Sequence, residues 1–448
     1  MALIAKTYLG VRLGAAVAIL AVLIPQAVLP SSRIPFVSAS EARPSATELR
    51  KAVEMREALG FPADLPTVIE LLQGTDANFD FGGPLSEGES RLMQRRIEFE
   101  QASTELISYV NEQHERFGGV WFDHPNGGTR LLVATTNGVG PKELGRLREL
   151  LPDGLDLTIV PVDVSLATLR QSQEDAVGAD EFGLTGSYVD VTTNELVVGG
   201  SADVAEHLER KLGVPVRAER MGLVPVACNT RAACTPYRAA IHANFPNQLC
   251  TWGFIAKTNL VAQLNIITAG HCATLGQAGT HNGVTVTSSA GVNRNTFDLL
   301  GTQRSDSLRG ALASSPNLAP PYNLLYNSDT QKALTLTSTE GYATQVVGET
   351  ACFVGKSSGN LCGQISATGI TGTAIRFNGT VKSFSHLIRM NRVAMDGDSG
   401  APVRFGFTAL GVVGFSDPNA NGHALYGAID HVEATMNVKT CITSSCGM

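Results

Sequence analysis

Cysteine is absent from residues 1–227, and all eight cysteines lie in residues 228–448. Charge is scarce as well, with only 17% of the 448 residues being Asp, Glu, Lys or Arg. It is also unevenly spread: residues 1–227 carry 20 Lys/Arg and 31 Asp/Glu, residues 228–448 only 14 and 10. No Lys/Arg cluster forms a basic stripe, which argues against a nucleic-acid partner. Only one long apolar run exists, which excludes a multi-span membrane protein. Cys-x-x-Cys is missing, and no Cys/His grouping has zinc spacing, so no metal or other cofactor is expected. The length exceeds that of one ordinary domain. The two compositions meet near residue 228, which predicts two different domains.

The single apolar run is Leu13 to Leu29, preceded by Lys6 and Arg12 and followed by Ser31, Ser32 and Arg33. A basic start, an apolar stretch and then small residues form the pattern of a secretory signal. Val37-Ser38-Ala39 offers small residues for cleavage after Ala39, so residues 1–39 are expected to be removed. Pro25 and Pro30 interrupt the run and argue against a retained anchor. The mature chain is then secreted, extracellular or held at the cell envelope, without stable membrane association. Eight cysteines in an exported chain read as disulfides. Sequential pairing, Cys228/Cys234, Cys250/Cys272, Cys352/Cys362 and Cys441/Cys446, is the first expectation; a bond from the first pair to the last is the alternative.

Residues 40–225 read as alternating helices and strands. Ser45 or Thr47 caps a helix reaching about Gly60, and a longer helix is expected over roughly Ser86 to Phe117. An internal repeat follows. The first copy runs from Gly119-Val120-Trp121-Phe122-Asp123 through the strand Arg130–Thr135 and the helix Pro141–Leu151 to the strand Leu157–Val162. The second runs from Gly186-Ser187-Tyr188-Val189-Asp190 through Glu195–Val198 and Ala202–Leu212 to Val214–Ala218. Each is a ββαβ unit, which predicts an α+β domain of small antiparallel sheets covered by helices. His114, His124 and His207 lack acid or base partners at meaningful spacing, so surface or capping roles are expected. Nothing catalytic stands out here.

Residues 226–448 switch to short Val/Ile/Leu/Thr runs between Gly, Asn, Ser and Pro turns, the pattern of an all-β sandwich or barrel pair. Two motifs carry chemistry. Thr268-Ala269-Gly270-His271-Cys272 follows the apolar run Leu264-Asn265-Ile266-Ile267, so a strand delivers His271 to a loop that Cys272 can anchor through Cys250. Gly397-Asp398-Ser399-Gly400 places a serine between glycines, where a tight turn aims its hydroxyl outward and presents N–H groups to an oxyanion. A serine becomes a nucleophile through an adjacent base, and the base needs an acid to fix its tautomer. Asp298, on the apolar stretch Asn295-Thr296-Phe297-Asp298-Leu299-Leu300, is the candidate acid. The order His, Asp, Ser and the Ala401 that follows Gly400 exclude an α/β-hydrolase, which runs Ser, Asp, His around Gly-x-Ser-x-Gly. Asp417-Pro418-Asn419-Ala420-Asn421-Gly422 opens like an oxygen-ligand loop, but Ala428 stands where a Glu is required, so a turn is expected.

On these motifs, residues 228–448 resemble the chymotrypsin superfamily, in its bacterial branch of streptogrisins and α-lytic-type proteases. Cys352-Phe353-Val354-Gly355-Lys356-Ser357-Ser358-Gly359-Asn360-Leu361-Cys362 is similar to that branch's short disulfide loop. Tyr188-Val189-Asp190 to Glu195-Leu196-Val197-Val198 is similar to its pro-regions. The resemblance implies a trypsin-like double six-stranded antiparallel β-barrel, with a His271, Asp298, Ser399 triad between the barrels. It implies an oxyanion hole from the N–H groups of Gly397 and Ser399. It places Val393 at the base of the primary pocket and Val413, Gly414, Phe415 and Ser416 on the strand that pairs with substrate. An Asp at position 393 would select Arg or Lys; valine implies apolar side chains instead. Asp398 is expected to need a buried cation, from Lys356, Arg392 or a newly freed N-terminus, because Phe353 stands where the branch carries Arg.

The expectation is therefore a monomeric, secreted serine endopeptidase made as a zymogen. Residues 40–225 would be its pro-domain, acting as folding template and inhibitor, and residues 226–448 the protease. Its partners would be polypeptide substrates and its own pro-domain. The competing expectation is a catalytically inactive binding or adhesion protein on the same fold.

Overall fold

Local capping chemistry sets the first helices. In α1 (Ala46–Ala58), Ser45 and Glu48 form a reciprocal capping box, and Ser86 and Glu89 repeat it at the start of α3 (Glu87–Ala102). Between them lies α2 (Leu65–Gln73), capped by Asp64 with a proline in its first turn. The buried Arg56 ties α1 to the start of α3 by reaching Glu89 at 2.6 Å and the carbonyl of Pro84 at 3.0 Å. These contacts come from a computed structural model, which describes residues 44–446 except 75–76, 80, 125–128, 179–183, 222–223, 226–238, 247, 260–262, 274–277, 282–283, 291–303, 312–322, 328–331 and 376–380. Residues 1–39, residues 226–238 at the start of the expected protease and Asp298 fall outside the described residues. Among the described residues no helix is long and apolar enough to cross a membrane.

The long helix expected over Ser86–Phe117 is broken. Ser103 turns its hydroxyl back onto the carbonyl of Phe99 at 2.7 Å, and its N–H is shared between Phe99 and Glu100. A serine hydroxyl competing for backbone acceptors bends a helix. The chain restarts as α4 (Thr104–Glu112), and residues from Phe117 onward are strand.

The repeat has the expected strand, strand, helix, strand order, but its sheets are mixed and not antiparallel, because the helix between the second and third strands carries the chain back to run in the same direction. The first copy comprises β1 (Phe117–Asp123), β2 (Arg130–Thr135), α5 (Pro141–Glu149) and β3 (Asp156–Pro161); α6 (Leu166–Gly178) follows it. The second comprises β4 (Gly186–Asp190), β5 (Glu195–Gly199), α7 (Ala202–Leu212) and β6 (Val216–Glu219). In each, the first two strands pair antiparallel and the third adds in parallel to the second. The copies differ in where their sheets end. The first is a separate three-stranded sheet, whereas β4 is bonded to a strand of the cysteine-rich half.

The short strand β7 (Val224–Pro225) precedes the cysteine-rich half. That half begins with β8 (Ile241–Phe245), β9 (Gln248–Trp252), β10 (Ile255–Thr258), β11 (Leu264–Thr268), β12 (Ala278–His281), β13 (Val284–Ala290) and β14 (Leu308–Ala311). Together with the final strand of the chain these form an eight-stranded sheet. The hairpin β15 (Leu324–Asn327) and β16 (Lys332–Thr335) stands apart, and β17 (Ser338–Thr339) follows it. Next come β18 (Thr350–Gly355), β19 (Gly359–Ile375), β20 (Val381–Val393), β21 (Pro402–Phe405), β22 (Thr408–Asp417), β23 (His423–Ala428), α8 (Ile429–Met436) and β24 (Val438–Thr440).

Six of these strands pair in the order β18-β21-β22-β23-β20-β19, and β19 pairs back onto β18, so they close on themselves. The eight-stranded sheet runs in the open order β24-β10-β11-β14-β13-β12-β8-β9, and β24 carries the end of the chain back to β10. Among the described residues three disulfides form, Cys250–Cys272, Cys352–Cys362 and Cys441–Cys446, each an expected sequential pair. Cys228 and Cys234 lie outside the described residues.

The compositional boundary is not a gap in packing, for residues 43–448 form one compact unit. Met55, Leu59, Met93 and Ile97 of the first two long helices share a core with Phe353, Leu361, Met390 and Val403 of the closed sheet. Tyr188, Val197 and Met221 share another with Phe384, Leu387 and Phe415. Apolar burial of this kind is the main force joining the two halves.

Candidate active site

Two strand ends bring the site together. β11 ends at Thr268 and is paired antiparallel to β14, with Thr268 opposite Leu308. The loop that leaves β11 and the loop that enters β14 are therefore neighbours. His271 sits on the first, in a short turn over Gly270–Cys272, and Asp306 sits on the second. The Asp306 carboxylate lies 2.5 Å from Nδ1 of His271 and also accepts the backbone N–H of His271 at 3.2 Å. On the other side of the ring, Nε2 is 2.7 Å from Oγ of Ser399. Asp306 and Ser399 are fully screened from water and His271 nearly so, which strengthens each of these interactions.

Asp298 lies outside the described residues; the carboxylate found at the imidazole is that of Asp306, eight residues farther along. Sequence reasoning passed over Asp306 because it lies in the polar stretch Arg304-Ser305-Asp306-Ser307 and not on an apolar one. A signal existed in the strand pairing: an acid two residues before a strand that pairs with β11 falls beside a histidine three residues after β11. Gly414 of β22 closes the far side of Asp306. A Cβ on Gly414 would lie 3.3 Å from the Asp306 Cβ, tighter than ordinary packing.

The serine loop is held by backbone bonds. Gly400 N–H donates to Val413 O at 2.8 Å and Val413 N–H to Ala401 O at 2.9 Å. Gly397 has φ +107 and Gly400 φ +87, a region that only glycine enters without strain. At Gly400 any side chain would also collide with the carbonyl of Thr251, 2.1 Å from where its Cβ would stand. The Cys250–Cys272 disulfide ties β9 to the histidine loop.

Asp398 has a different neighbourhood from the one expected. Its carboxylate accepts N–H bonds from Ser357 at 2.9 Å, Ser358 at 3.1 Å and Met395 at 2.8 Å, and a further bond from the Ser358 hydroxyl. Burial pushes its carboxyl above the ordinary aspartate range, against the opposing pull of these donors. Hydrogen bonds from a nest of N–H groups satisfy a buried carboxylate in the role expected of a cation. Arg392 is buried too, but the carboxylate acting on it is Glu54 of α1.

Of the residues expected to meet substrate, Val413 and Phe415 are buried and Ser416 is half-buried, whereas Val393 is 40% exposed. Met395, beside the serine loop, is 47% exposed. The Phe415 ring lies 6.2 Å from the His271 ring and 4.6 Å from Phe384. Along the edge of this strand, Val224 and Pro225 of β7 pair antiparallel with Ser416 and Phe415. Asp417 caps the turn that follows, accepting from the N–H groups of Asn419 and Ala420, so the stretch 417–422 is an ordinary capped turn.

The contact between the halves also has a polar centre. Glu100 of α3 accepts the N–H of Thr350 at 3.0 Å and its hydroxyl at 3.2 Å. His124, expected at the surface, is buried and bonds the carbonyl of Gly348 at 2.7 Å, 3.3 Å from Glu100. Glu349 is nearby and buried, and Glu340 is half-buried. Burial and the neighbouring carboxylates push Glu340 up to about 7 and Glu349 well above its ordinary range. Arg389 of β20 reaches Glu219 of β6 at 3.0 Å and stacks over Tyr188 of β4.

No protein-family model matches this sequence, and no curated protein is similar to it. Among solved structures, the chain is similar to a Nocardiopsis protease, with 20% identity over 45% of this chain and 97% of that one, at a TM-score of 0.36. It is similar to protease A of Thermobifida fusca, with 22% identity over 46% of this chain and 98% of that one, at a TM-score of 0.37. It is also similar to a chymotrypsin of Cellulomonas bogoriensis, with 20% identity over 46% of this chain and 98% of that one, at a TM-score of 0.36.

Proposed function

We propose that residues 226–448 are a serine endopeptidase and that Ser399, His271 and Asp306 form its triad. The hydrogen-bonded series from Ser399 Oγ through the imidazole to the Asp306 carboxylate carries this reading. Ser399 Oγ attacks the carbonyl carbon of a peptide bond while its proton passes to Nε2 of His271. The imidazolium is held through its Nδ1–H by Asp306, whose second bond from the His271 N–H fixes the carboxylate in place. The N–H groups of Gly397 and Ser399 stabilise the oxyanion of the tetrahedral intermediate. The intermediate collapses to an acyl-enzyme as His271 protonates the leaving amine, and water then repeats the sequence to release the acid. The exposed apolar side chains of Val393 and Met395 favour apolar substrate residues at the primary pocket.

The chain is proposed to be an exported zymogen. Residues 40–225 would be the pro-domain, released by cleavage between about Val224 and Thr235. The pairing of Val224 and Pro225 with the strand assigned to substrate supports this, since a segment already seated there blocks the site. The polypeptide at that edge mimics substrate by adding a strand, a common mode of peptide recognition.

The test is covalent labelling with a fluorophosphonate after processing. Adduct formation at Ser399, absent from Ser399→Ala, is expected. A processed, folded chain that stays unlabelled would instead establish the inactive binding protein.

A further inference from the structure

Thr251 on β9 is fully buried, yet every polar atom it has is committed to a loop of the site. Its N–H donates to the carbonyl of Ser399 at 2.7 Å, and its hydroxyl donates to the carbonyl of Gly397 at 2.7 Å. The same hydroxyl accepts the N–H of Lys356 at 2.9 Å, and its carbonyl accepts the Thr268 hydroxyl at 2.8 Å. One residue therefore joins three segments: the serine loop, the turn that cradles Asp398, and the end of β11 that leads into the histidine loop.

We propose that the Thr251 hydroxyl is a positioning element for the oxyanion site. Gly397 is held at φ +107, where glycine has wide freedom, and the turn's own backbone bonds, Asp398 N–H to Met395 O at 3.0 Å and Ala401 N–H to Asp398 O at 2.8 Å, leave the Gly397 carbonyl to be fixed from outside. The bond to its carbonyl fixes the peptide that follows, and the bond to Ser399 fixes the far end of the same arc. The Gly397–Ser399 segment is thereby clamped at both ends from a rigid strand. Gly400 makes room for the clamp, because a side chain there would occupy the place of the Thr251 carbonyl and the Thr268 hydroxyl. Donors aimed at a developing charge are effective only when pre-set, and removing one costs about 10²–10³ in rate. Loosening a donor costs less than deleting it, so a loss of roughly tenfold to a hundredfold in kcat is expected, with little change in KM.

This inference rests on the peptidase reading, and the experiment separates the two. The processed full-length product is assayed on an apolar chromogenic peptide, with Thr251→Val removing the hydroxyl at constant shape and Thr251→Ser restoring it. Thr251→Val is expected to lower kcat about tenfold or more with KM within about twofold, and Thr251→Ser to recover most of the rate. Binding of a peptide boronate, which mimics the tetrahedral state, should weaken by the same factor as kcat/KM falls. Unchanged kcat in Thr251→Val, or equal losses in both variants, would overturn the clamp while leaving the peptidase intact. If the unaltered protein neither cleaves peptide nor reacts with fluorophosphonate, the peptidase reading fails and the clamp with it. Should Thr251→Val not accumulate, Thr251→Cys keeps the volume with a weaker donor and should lose about fivefold in kcat; full activity there overturns the clamp.

Discussion

Asp306 holds His271 at two points, taking the ring Nδ1 at 2.5 Å and the backbone N–H at 3.2 Å with one carboxylate oxygen. This fixes the imidazole as a rigid body, since both its ring plane and its backbone are referred to the same atom. The other ring nitrogen is then aimed at Ser399 without further adjustment.

Exchange of that acid should stop the chemistry and leave the fold. Asp306→Asn keeps the shape but can stabilise the wrong tautomer, and a comparable exchange in a serine protease lowers kcat by about 10⁴. A loss of roughly 10³–10⁴ in kcat is expected from Asp306→Asn, whereas Asp298→Asn should stay near the unaltered rate. A steady-state assay of both variants checks the assignment, and the reverse pattern would return the role to Asp298.

The proposed zymogen, with Val224 and Pro225 seated beside Ser416 and Phe415, is expected to process itself. Ser399→Ala, expressed in the native host compartment, should accumulate as a chain uncut between about Val224 and Thr235. N-terminal sequencing and intact mass would show it. Cutting at the ordinary rate would mean that another protease performs the step.

The apolar character around Val393 and Met395 sets the expected preference. In a panel of chromogenic peptides, those with medium or large apolar residues before the scissile bond should be cleaved fastest. Best cleavage after Arg or Lys would remove this reading of the pocket.

The joint between the halves should loosen as pH rises. Glu340 and Glu349 have raised values in the folded chain, so folding takes up protons that the unfolded chain releases near 4.5. Their contribution to stability is then fully present below about 4.5 and is lost as pH rises, with Glu340 ionising beside Glu100 near about 7 and Glu349 later. Melting curves of the Ser399→Ala chain should fall over this window, and adding Glu340→Gln should flatten the slope. A slope unchanged by Glu340→Gln would place the pH dependence elsewhere.

Asp398 offers a separate test of how the serine loop is supported. Ser358→Ala removes one donor from a fully buried carboxylate, a change that costs about 1–3 kcal/mol. The loss should be larger at neutral than at acidic pH, because Asp398 is raised by burial and its unmet charge counts only when it is ionised. Thermal melts at two pH values measure the difference.

Much of this molecule is local, and local features are legible in a sequence. Capping boxes at Ser45 and Ser86, the two ββαβ repeats, the sequential disulfides among the described cysteines and the placement of His271 and Ser399 on loops all depend on residues within a few turns of one another. The break at Ser103 was missed because apolar periodicity continues across it, while one serine hydroxyl decides the bend. Asp306, the Thr251 clamp, the N–H nest around Asp398 and the burial of His124 against Gly348 are of another kind. Each joins segments far apart along the chain, and a polar side chain in such a place looks the same in the sequence as one facing water. Residue types and spacing determined that His271 and Ser399 sit on loops at the ends of strands, as candidates for base and nucleophile. Only the antiparallel pairing of β11 with β14, and the packing of one sheet's threonine against the other's serine loop, decided which carboxylate meets His271 and which hydroxyl meets Gly397, because both contacts join segments far apart in the chain.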